Sequence, residues 1–429
     1  MRSNILNNRI AKNAGWIIGA KVVQALFGFA ISILSARYLG PSNYGIINYA
    51  ASLISFVTPF AQLGITDIIV QELISHKDEE GTVLGTATVL TLFSSVICIL
   101  GLNLFALVAN ADSVVTRIVC LLYSLMLICQ AFELILNWFQ AHLLSKYTSI
   151  ISTIAYIVVS AYKLFLLMTQ KSIYWFTVSY SIDFVIIASC SYLVYKKKGG
   201  QRFSFSKSVG KRMLNTSKYY IVSSLMVTLF VNVDKIMINQ MIDDASVGFY
   251  SVAISCSGMT GFIFSAVINS FRPVIFSHRT DNNIERFELN LKRLYCIVIY
   301  LSLAQSVVVS IFSKEIVSIL YGSQYIDSIG VLKLLVWYTT FSYLGSVRNI
   351  WILSENKQKY LLVLNSVGAV VNIILNAVLI PRIGITGAAL ASLVTQFITN
   401  YVMGWILKPL RHNNKLMMQA LNPRCIIEA

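Results

Sequence analysis

Eight ionisable side chains interrupt otherwise apolar stretches of this sequence: Lys21, Lys163, Lys235, Lys333, Arg348, Glu133, Asp183 and Asp234. A charge in hydrocarbon is costly, so those present tend to mark pathways, relays or paired groups. Five are cations and three are carboxylates, which leaves a mildly cationic interior. Such an interior attracts a phosphate or pyrophosphate head group by Coulomb interaction in a low dielectric. The candidate substrate-binding cations are Lys21, Arg37, Lys235, Lys333 and Arg348. Arg37 stands at the outer mouth of the first apolar stretch, where an interfacial anchor beside Tyr38 is its other reading. Lys21 lies well inside its stretch, ~12 Å from the inner end at ~1.5 Å per residue, and can only partly snorkel. Lys163 is nearer an end, and snorkelling is its better reading. Glu133, Asp183 and Asp234 are the candidate ion-coupling groups. Glu133 shares a stripe with Gln130, Asn137 and Gln140, and pairing with a nearby cation is the alternative. Asp234 and Lys235 are adjacent, project ~100° apart on a helix and need other partners.

Uncharged polar residues also recur at helical spacing. Lys21, Gln24, Gly28, Ser32 and Ser35 fall on one face, as do Ser224, Thr228, Asn232, Lys235 and Asn239. Asn48, Ser52, Ser55, Pro59 and Gln62 form a third stripe. Ser251, Ser255, Gly258 and Ser265 form a fourth, interrupted by Phe262. Two readings stay open: small polar residues pack helices closely, or they line a wet cavity. Lysines on two stripes favour the cavity.

These residues need long apolar helices to hold them. Of 429 residues, 56% are hydrophobic and 12% charged, too few charges to clothe two or three soluble domains. Disorder is excluded by the same figures. Twelve stretches are long enough to cross a bilayer, which takes ~20 residues each. They lie near 13–36, 45–65, 83–109, 113–138, 147–168, 174–195, 215–240, 247–270, 293–312, 328–352, 360–380 and 385–408. Continuous apolar runs exclude a β-barrel, and helices satisfy every backbone group in lipid. The first run is too long for a cleavable signal and stays as a helix. The fold class is therefore all-α, an integral membrane protein.

With the N-terminus inside, 24 of the 34 Lys and Arg fall on the inner side, five in outer loops and five within spans. The positive-inside rule then places both termini in the cytoplasm. The net charge of +16 is mostly this topology signal, and nucleic-acid binding is excluded because the basic residues lie between apolar runs.

The connector after residue 195 opens Lys196-Lys197-Lys198-Gly199-Gly200 and separates six stretches from six. The expected organisation is an N-terminal bundle at 1–195, a basic linker at 196–214, a C-terminal bundle at 215–408 and a tail at 409–429. Sliding the second half back by 203 positions superposes Gly45 on Gly248, Ala50 on Ala253 and the turn 38–45 on 241–248. Even-numbered halves share an orientation, so a pseudo-twofold along the membrane normal is expected, with a substrate site between the bundles. Gln24, Ser32, Asn48, Ser52, Gln62, Ser224, Thr228, Asn232, Asn239, Ser251 and Ser255 are the expected polar lining.

The twelve spans, the ARYLGPSNYG turn at Ala36–Gly45, VDKIMI at Val233–Ile238, VGFYSVA at Val247–Ala253 and the closing PRIGITGAA at Pro381–Ala389 resemble the Wzx-type polysaccharide flippases. These belong to the multidrug/oligosaccharidyl-lipid/polysaccharide (MOP) exporter superfamily, with its MATE-like pair of six-helix bundles. The resemblance covers nearly the whole chain. It implies translocation of undecaprenyl-pyrophosphate-linked oligosaccharide across the bacterial inner membrane by alternating access, driven by an ion gradient. It implies a cavity lined by the first, second, seventh and eighth helices, cations that hold the pyrophosphate or acidic sugars, and polymerase and glycosyltransferase machinery as partners. Relatives that flip the peptidoglycan precursor have two further helices, for which this chain lacks room.

No enzyme chemistry is legible. His76, His142, His278 and His412 all fall on the inner side without clustering, and no Ser or Cys is set beside a base. Seven cysteines show no metal-ligand spacing and read as small buried hydrophobes. There is no GxxxxGK[ST] loop for nucleotide phosphate. No cofactor or metal is expected. A drug/cation antiporter of the same superfamily is the rival reading and would want an acidic cavity. A membrane polysaccharide polymerase or ligase is a more distant one.

Overall fold

The computed structural model describes residues 2–423, with side chains at 24, 25 and 27–423. Helices dominate, and no strand occurs among the described residues. The chain runs α1 (Arg2–Ala61), α2 (Ile65–Ser75), α3 (Glu80–Ala109), α4 (Val114–Ser124), α5 (Met126–Gln130), α6 (Ile135–Ala141), α7 (Ser145–Met168) and α8 (Ile173–Lys197). It continues through α9 (Lys207–Met241), α10 (Asp244–Gly258), α11 (Gly261–Thr280), α12 (Ile284–Ile311), α13 (Ser313–Leu320), α14 (Ser328–Ser354) and α15 (Lys359–Phe397). A π-helical turn (Ile398–Val402), α16 (Met403–Ile406) and α17 (Arg411–Gln419) close it. Each expected span falls on helical residues, with short breaks.

Among the described residues, eight helices are long and apolar enough to cross a membrane, or nine if α10 and α11, bent by 44°, make one span. Two of the eight, Phe27–Ser75 and Lys359–Ile406, run 49 and 48 residues. At ~1.5 Å per residue each is over 70 Å, more than twice a ~30 Å hydrocarbon core. Both contain a break. In α1 it is Gly40 (φ 71°, ψ 172°), a conformation open chiefly to glycine. Pro41 follows, with its φ suited to the first turn of a resumed helix. In α15 it is Ile383–Gly384, with Gly384 at φ 61°, three residues after Pro381. Whole side chains such as Phe93, Val108 and Met168 stand exposed along the helices, which is favourable only against lipid tails.

The chain forms two compact units: 1–39 with 46–228, and 40–45 with 229–429. The boundary lies inside α9, not in the basic connector. That connector is held in the first unit by specific bonds. Gln201 Oε1 accepts from the Gly81 amide (2.9 Å), and Gln201 Nε2 donates to the Lys77 carbonyl (3.0 Å). Tyr195 donates to the Gln201 carbonyl (2.7 Å), and the Ser206 amide donates to Thr86 Oγ1 (2.9 Å). The core of this unit gathers Ile65, Leu84, Trp138, Phe139 and Met213. That of the second gathers Phe264, Leu294, Tyr295, Val347 and Trp351.

Within the second unit two backbone approaches are reciprocal. A Cβ on Gly45 would meet the Asp244 carbonyl oxygen, and a Cβ on Gly248 would meet that of Pro41. These are the positions that the 203-residue slide superposes.

Candidate functional site

The first unit holds a cavity of about 420 Å³. The segment after α4 supplies one wall. Its residues Gln130, Glu133, Asn137 and Gln140 step by 3, 4 and 3 and so share a face. A 3₁₀ turn at Ala131–Leu134 joins α5 to α6 and tightens that face around Glu133. Gln24 of α1, Gln62, Thr66 of α2, and Thr91 and Ser95 of α3 add further polar groups. Ser145, Thr148, Ser149 and Ser152 of α7 complete the lining. Among the described residues, Glu133 is the one charged residue in it. Thr66 Oγ1 donates to Gln62 Oε1 (3.3 Å), and Ser95 donates to the Leu127 carbonyl (3.1 Å). Gln130 Oε1 and Thr148 Oγ1 are buried without a partner among the described residues.

In the second unit Asp234 is 5% exposed. Its Oδ2 accepts from the Tyr250 hydroxyl and Ser392 Oγ, both at 2.5 Å, and its Oδ1 accepts from Asn376 Nδ2 at 2.6 Å. Asn376 also donates to Asn372 Oδ1 (3.1 Å), while its own Oδ1 has no protein partner. Asn372 and Asn376 share a face of α15 one turn apart, so α9, α10 and α15 converge on one carboxylate. All these donors are oxygen or amide groups, and no cluster of three His, Cys, Asp or Glu occurs among the described residues. Such a set suits a proton or a hard cation rather than a transition metal.

The second unit also holds a cavity of about 340 Å³ between α11 and α14. Ser265, Asn269 and Arg272 lie at i, i+4 and i+7 on α11, and Ser342, Ser346 and Asn349 repeat that spacing on α14. Two polar faces therefore meet across it, over Phe264, Ile268 and Ile350. The Arg272 guanidinium lies 5.6 Å from the Phe276 ring centroid and makes no ion pair among the described residues.

The expected site residues are dispersed. The Lys21 side chain lies outside the described residues. Gln24, Gln62 and Glu133 come together in the first cavity. Arg37 and Lys333 are exposed and line neither cavity. Lys235 is half-buried next to Asp234. Arg348 is a correction. It is 5% exposed, and its guanidinium donates to the Thr399 carbonyl (2.7 Å) and Asn349 Oδ1 (3.2 Å). It ties α14 to the π-helical turn and lines neither cavity. Lys163 does not need to snorkel, because its ammonium stands 4.1 Å over the Tyr180 ring, a cation–π pair. Asp183 is half-buried on α8. Ser52 donates to the Asn48 carbonyl (2.9 Å), Ser255 to the Ser251 carbonyl (2.9 Å) and Asn239 to Asp244 (2.6 Å). Those serines act within their helices. Ser32, Asn48, Thr228 and Asn232 are half-buried, each with a partner, and Ser224 is half-buried. Ser251 Oγ is buried without one. Sequence reasoning missed Asn372, Asn376, Ser392 and Arg272. The i, i+4 spacing of the two asparagines was the available signal.

Solved structures define the class. A lipid II flippase, MurJ, in an inward closed conformation matches with a TM-score of 0.74 at 14% identity, over 94% of this chain and 90% of that one. An inward-facing multidrug resistance MATE family transporter of the MOP superfamily matches with a TM-score of 0.68 at 14% identity, over 92% and 96%. The fold is that of a multi-pass helical transporter. By sequence, the chain is 20% identical over 418 residues to a Shigella flexneri protein assigned as an O-antigen transporter, covering 92% of this chain and 97% of that protein. The chain belongs to the polysaccharide biosynthesis protein family, which matches residues 10–279. The MatE family matches residues 220–378.

Proposed function

We propose that this protein is a flippase for lipid-linked oligosaccharides. It moves undecaprenyl-pyrophosphate-linked repeat units from the cytoplasmic to the outer leaflet of a bacterial inner membrane by alternating access. Both termini lie in the cytoplasm, and two six-helix bundles, divided within α9, carry the motion. The observation that carries this reading is the pair of polar cavities inside an otherwise lipid-adapted helical protein. One presents carboxamides and hydroxyls, which suit sugar hydroxyls. The other presents Arg272, which has no ion pair among the described residues, among serines and asparagines, and this suits a diphosphate. The polyprenyl chain stays in lipid throughout. Asp234 supplies the coupling step by taking up and releasing a proton or a hard monovalent cation; Glu133 and Asp183 are secondary candidates. Glycosyltransferases supply the substrate and a polymerase consumes it.

The drug/cation antiporter reading draws on one observation, that Glu133 is the sole charged residue lining the first cavity among the described residues. Surface-glycan export by a deletion strain carrying the wild-type gene or Arg272→Gln separates the two. Flipping predicts restored export with the wild type and at least tenfold less with the variant at equal protein level. Export independent of the gene, with drug resistance dependent on it, refutes the flippase.

A further inference from the structure

We infer that the cavity of the first unit is a saccharide subsite selective for an uncharged sugar, so that the negative charge of the substrate resides in its diphosphate and not in the residue this cavity grips. The inference rests on the flippase reading and names the substrate class for one of its cavities. Its volume, about 420 Å³, lies within the ~300–1,000 Å³ typical of small-molecule sites.

Three features converge on sugar. First, Gln24, Gln62, Gln130, Asn137 and Gln140 are five carboxamides converging on one space. Each offers paired donors and an acceptor, and a sugar hydroxyl is itself both donor and acceptor, so neighbouring hydroxyls or an acetamido group can be met in pairs. Second, the buried Gln130 Oε1 and Thr148 Oγ1 have no partner among the described residues. An unmet buried polar atom is unfavourable, and a ligand hydroxyl entering the cavity would satisfy both. Third, no Lys, Arg or His lines the cavity among the described residues. In either protonation state Glu133 adds no positive charge. A uronate or other acidic sugar would lose its water here with no cation among the described lining residues to recover that loss.

The test uses the full chain in lipid nanodiscs with three probes: farnesyl diphosphate, and farnesyl diphosphate bearing either N-acetylglucosamine or glucuronic acid. The expected result is at least tenfold tighter binding of the N-acetylglucosamine probe than of the glucuronic acid probe. The double variant Gln130→Ala with Asn137→Ala should remove the gain due to the sugar while leaving affinity for farnesyl diphosphate unchanged, which also shows that the variant is folded. Equal affinities for the two sugars, or unaltered sugar affinity in the double variant, overturn the inference and leave the flippase reading standing. So does strong binding of the glucuronic acid probe that Lys21→Gln abolishes, since Lys21 would then supply the missing cation. Binding of tetraphenylphosphonium through Glu133, with neither sugar probe bound, overturns the inference and the flippase reading together.

Discussion

Replacing Asp234 tests whether its carboxylate serves stability, transport or both. Three donors converge on it, from Tyr250, Ser392 and Asn376, at 2.5, 2.5 and 2.6 Å. A hydrogen bond to a charged group contributes ~1.5–3 kcal/mol, so removing all three would cost ~4.5–9 kcal/mol if nothing rearranged. Tyr250 and Ser392 stand 3.4 Å apart and can bond each other. Asn376 Nδ2 also keeps its bond to Asn372 Oδ1, which lowers the estimate; with the space left by the carboxylate, Asp234→Ala should cost ~3–5 kcal/mol. Asp234→Asn behaves differently. Its carbonyl oxygen can keep both hydroxyls. Its new NH₂ can meet Asn376 Oδ1 if that amide flips and Asn372 flips with it, so that Asn372 Nδ2 donates where its Oδ1 now accepts; the bond given up is the 3.5 Å one from Asn372 to Ser392. The expected cost is about 1 kcal/mol or less. Thermal melts of both variants in detergent, beside surface-glycan export at matched protein levels, provide the assay. The reasoning predicts a near-wild-type melt for Asp234→Asn with at least tenfold lower export, and a clearly lower melt for Asp234→Ala. An Asp234→Asn melt as low as that of Asp234→Ala would refute the hydrogen-bond argument. Wild-type export by Asp234→Asn would remove the carboxylate from coupling.

Three further outcomes follow from the geometry. Gly248→Ala sets a methyl against the Pro41 carbonyl, a backbone atom that cannot step aside, and should destabilise by ~1–3 kcal/mol. Gly101→Ala, in open space on α3, should instead stabilise by up to ~1 kcal/mol, and melting of the pair checks both. Arg348→Met should lower stability by ~2–4 kcal/mol, because the buried Thr399 carbonyl loses its donor, yet leave farnesyl diphosphate affinity intact. Glu80→Gln should loosen the start of α3 against α6 in the first unit, where Trp138 Nε1 donates to Glu80 (2.6 Å) and His142 lies 3.2 Å from it. A shift in tryptophan emission would report the change, and an unchanged spectrum would count against it.

The helical membrane architecture was legible because hydropathy over ~20 residues reports directly on lipid burial. The Gln130–Glu133–Asn137–Gln140 face was legible for a similar local reason: spacing of three and four residues fixes a helix face whatever the fold. What lies across the fold was not. Asp234 and Asn376 are 142 positions apart, and no local pattern links them. Arg348 was read as a substrate cation because its depth is visible in sequence. Its partner is a backbone carbonyl in a π-helical turn, where the shifted register frees an acceptor, and that is not visible. Arg272 was counted with an inner loop because the apolar run stops near residue 270, whereas α11 continues as helix to Thr280. The seam between units shows the same effect. Charge placed it at the Lys-rich connector, but Gln201 and Tyr195 bind that connector into the first unit, and the division falls within α9.

The central claim is that this chain carries a lipid-linked sugar across a bilayer. Proteoliposomes containing the purified protein and a fluorescent farnesyl-diphosphate-linked N-acetylglucosamine, with an imposed cation or proton gradient, test it directly. The account predicts transfer between leaflets well above that of empty liposomes, returning to background with Asp234→Asn. Transfer at the empty-liposome rate by the wild-type protein, under every gradient tried, would contradict it.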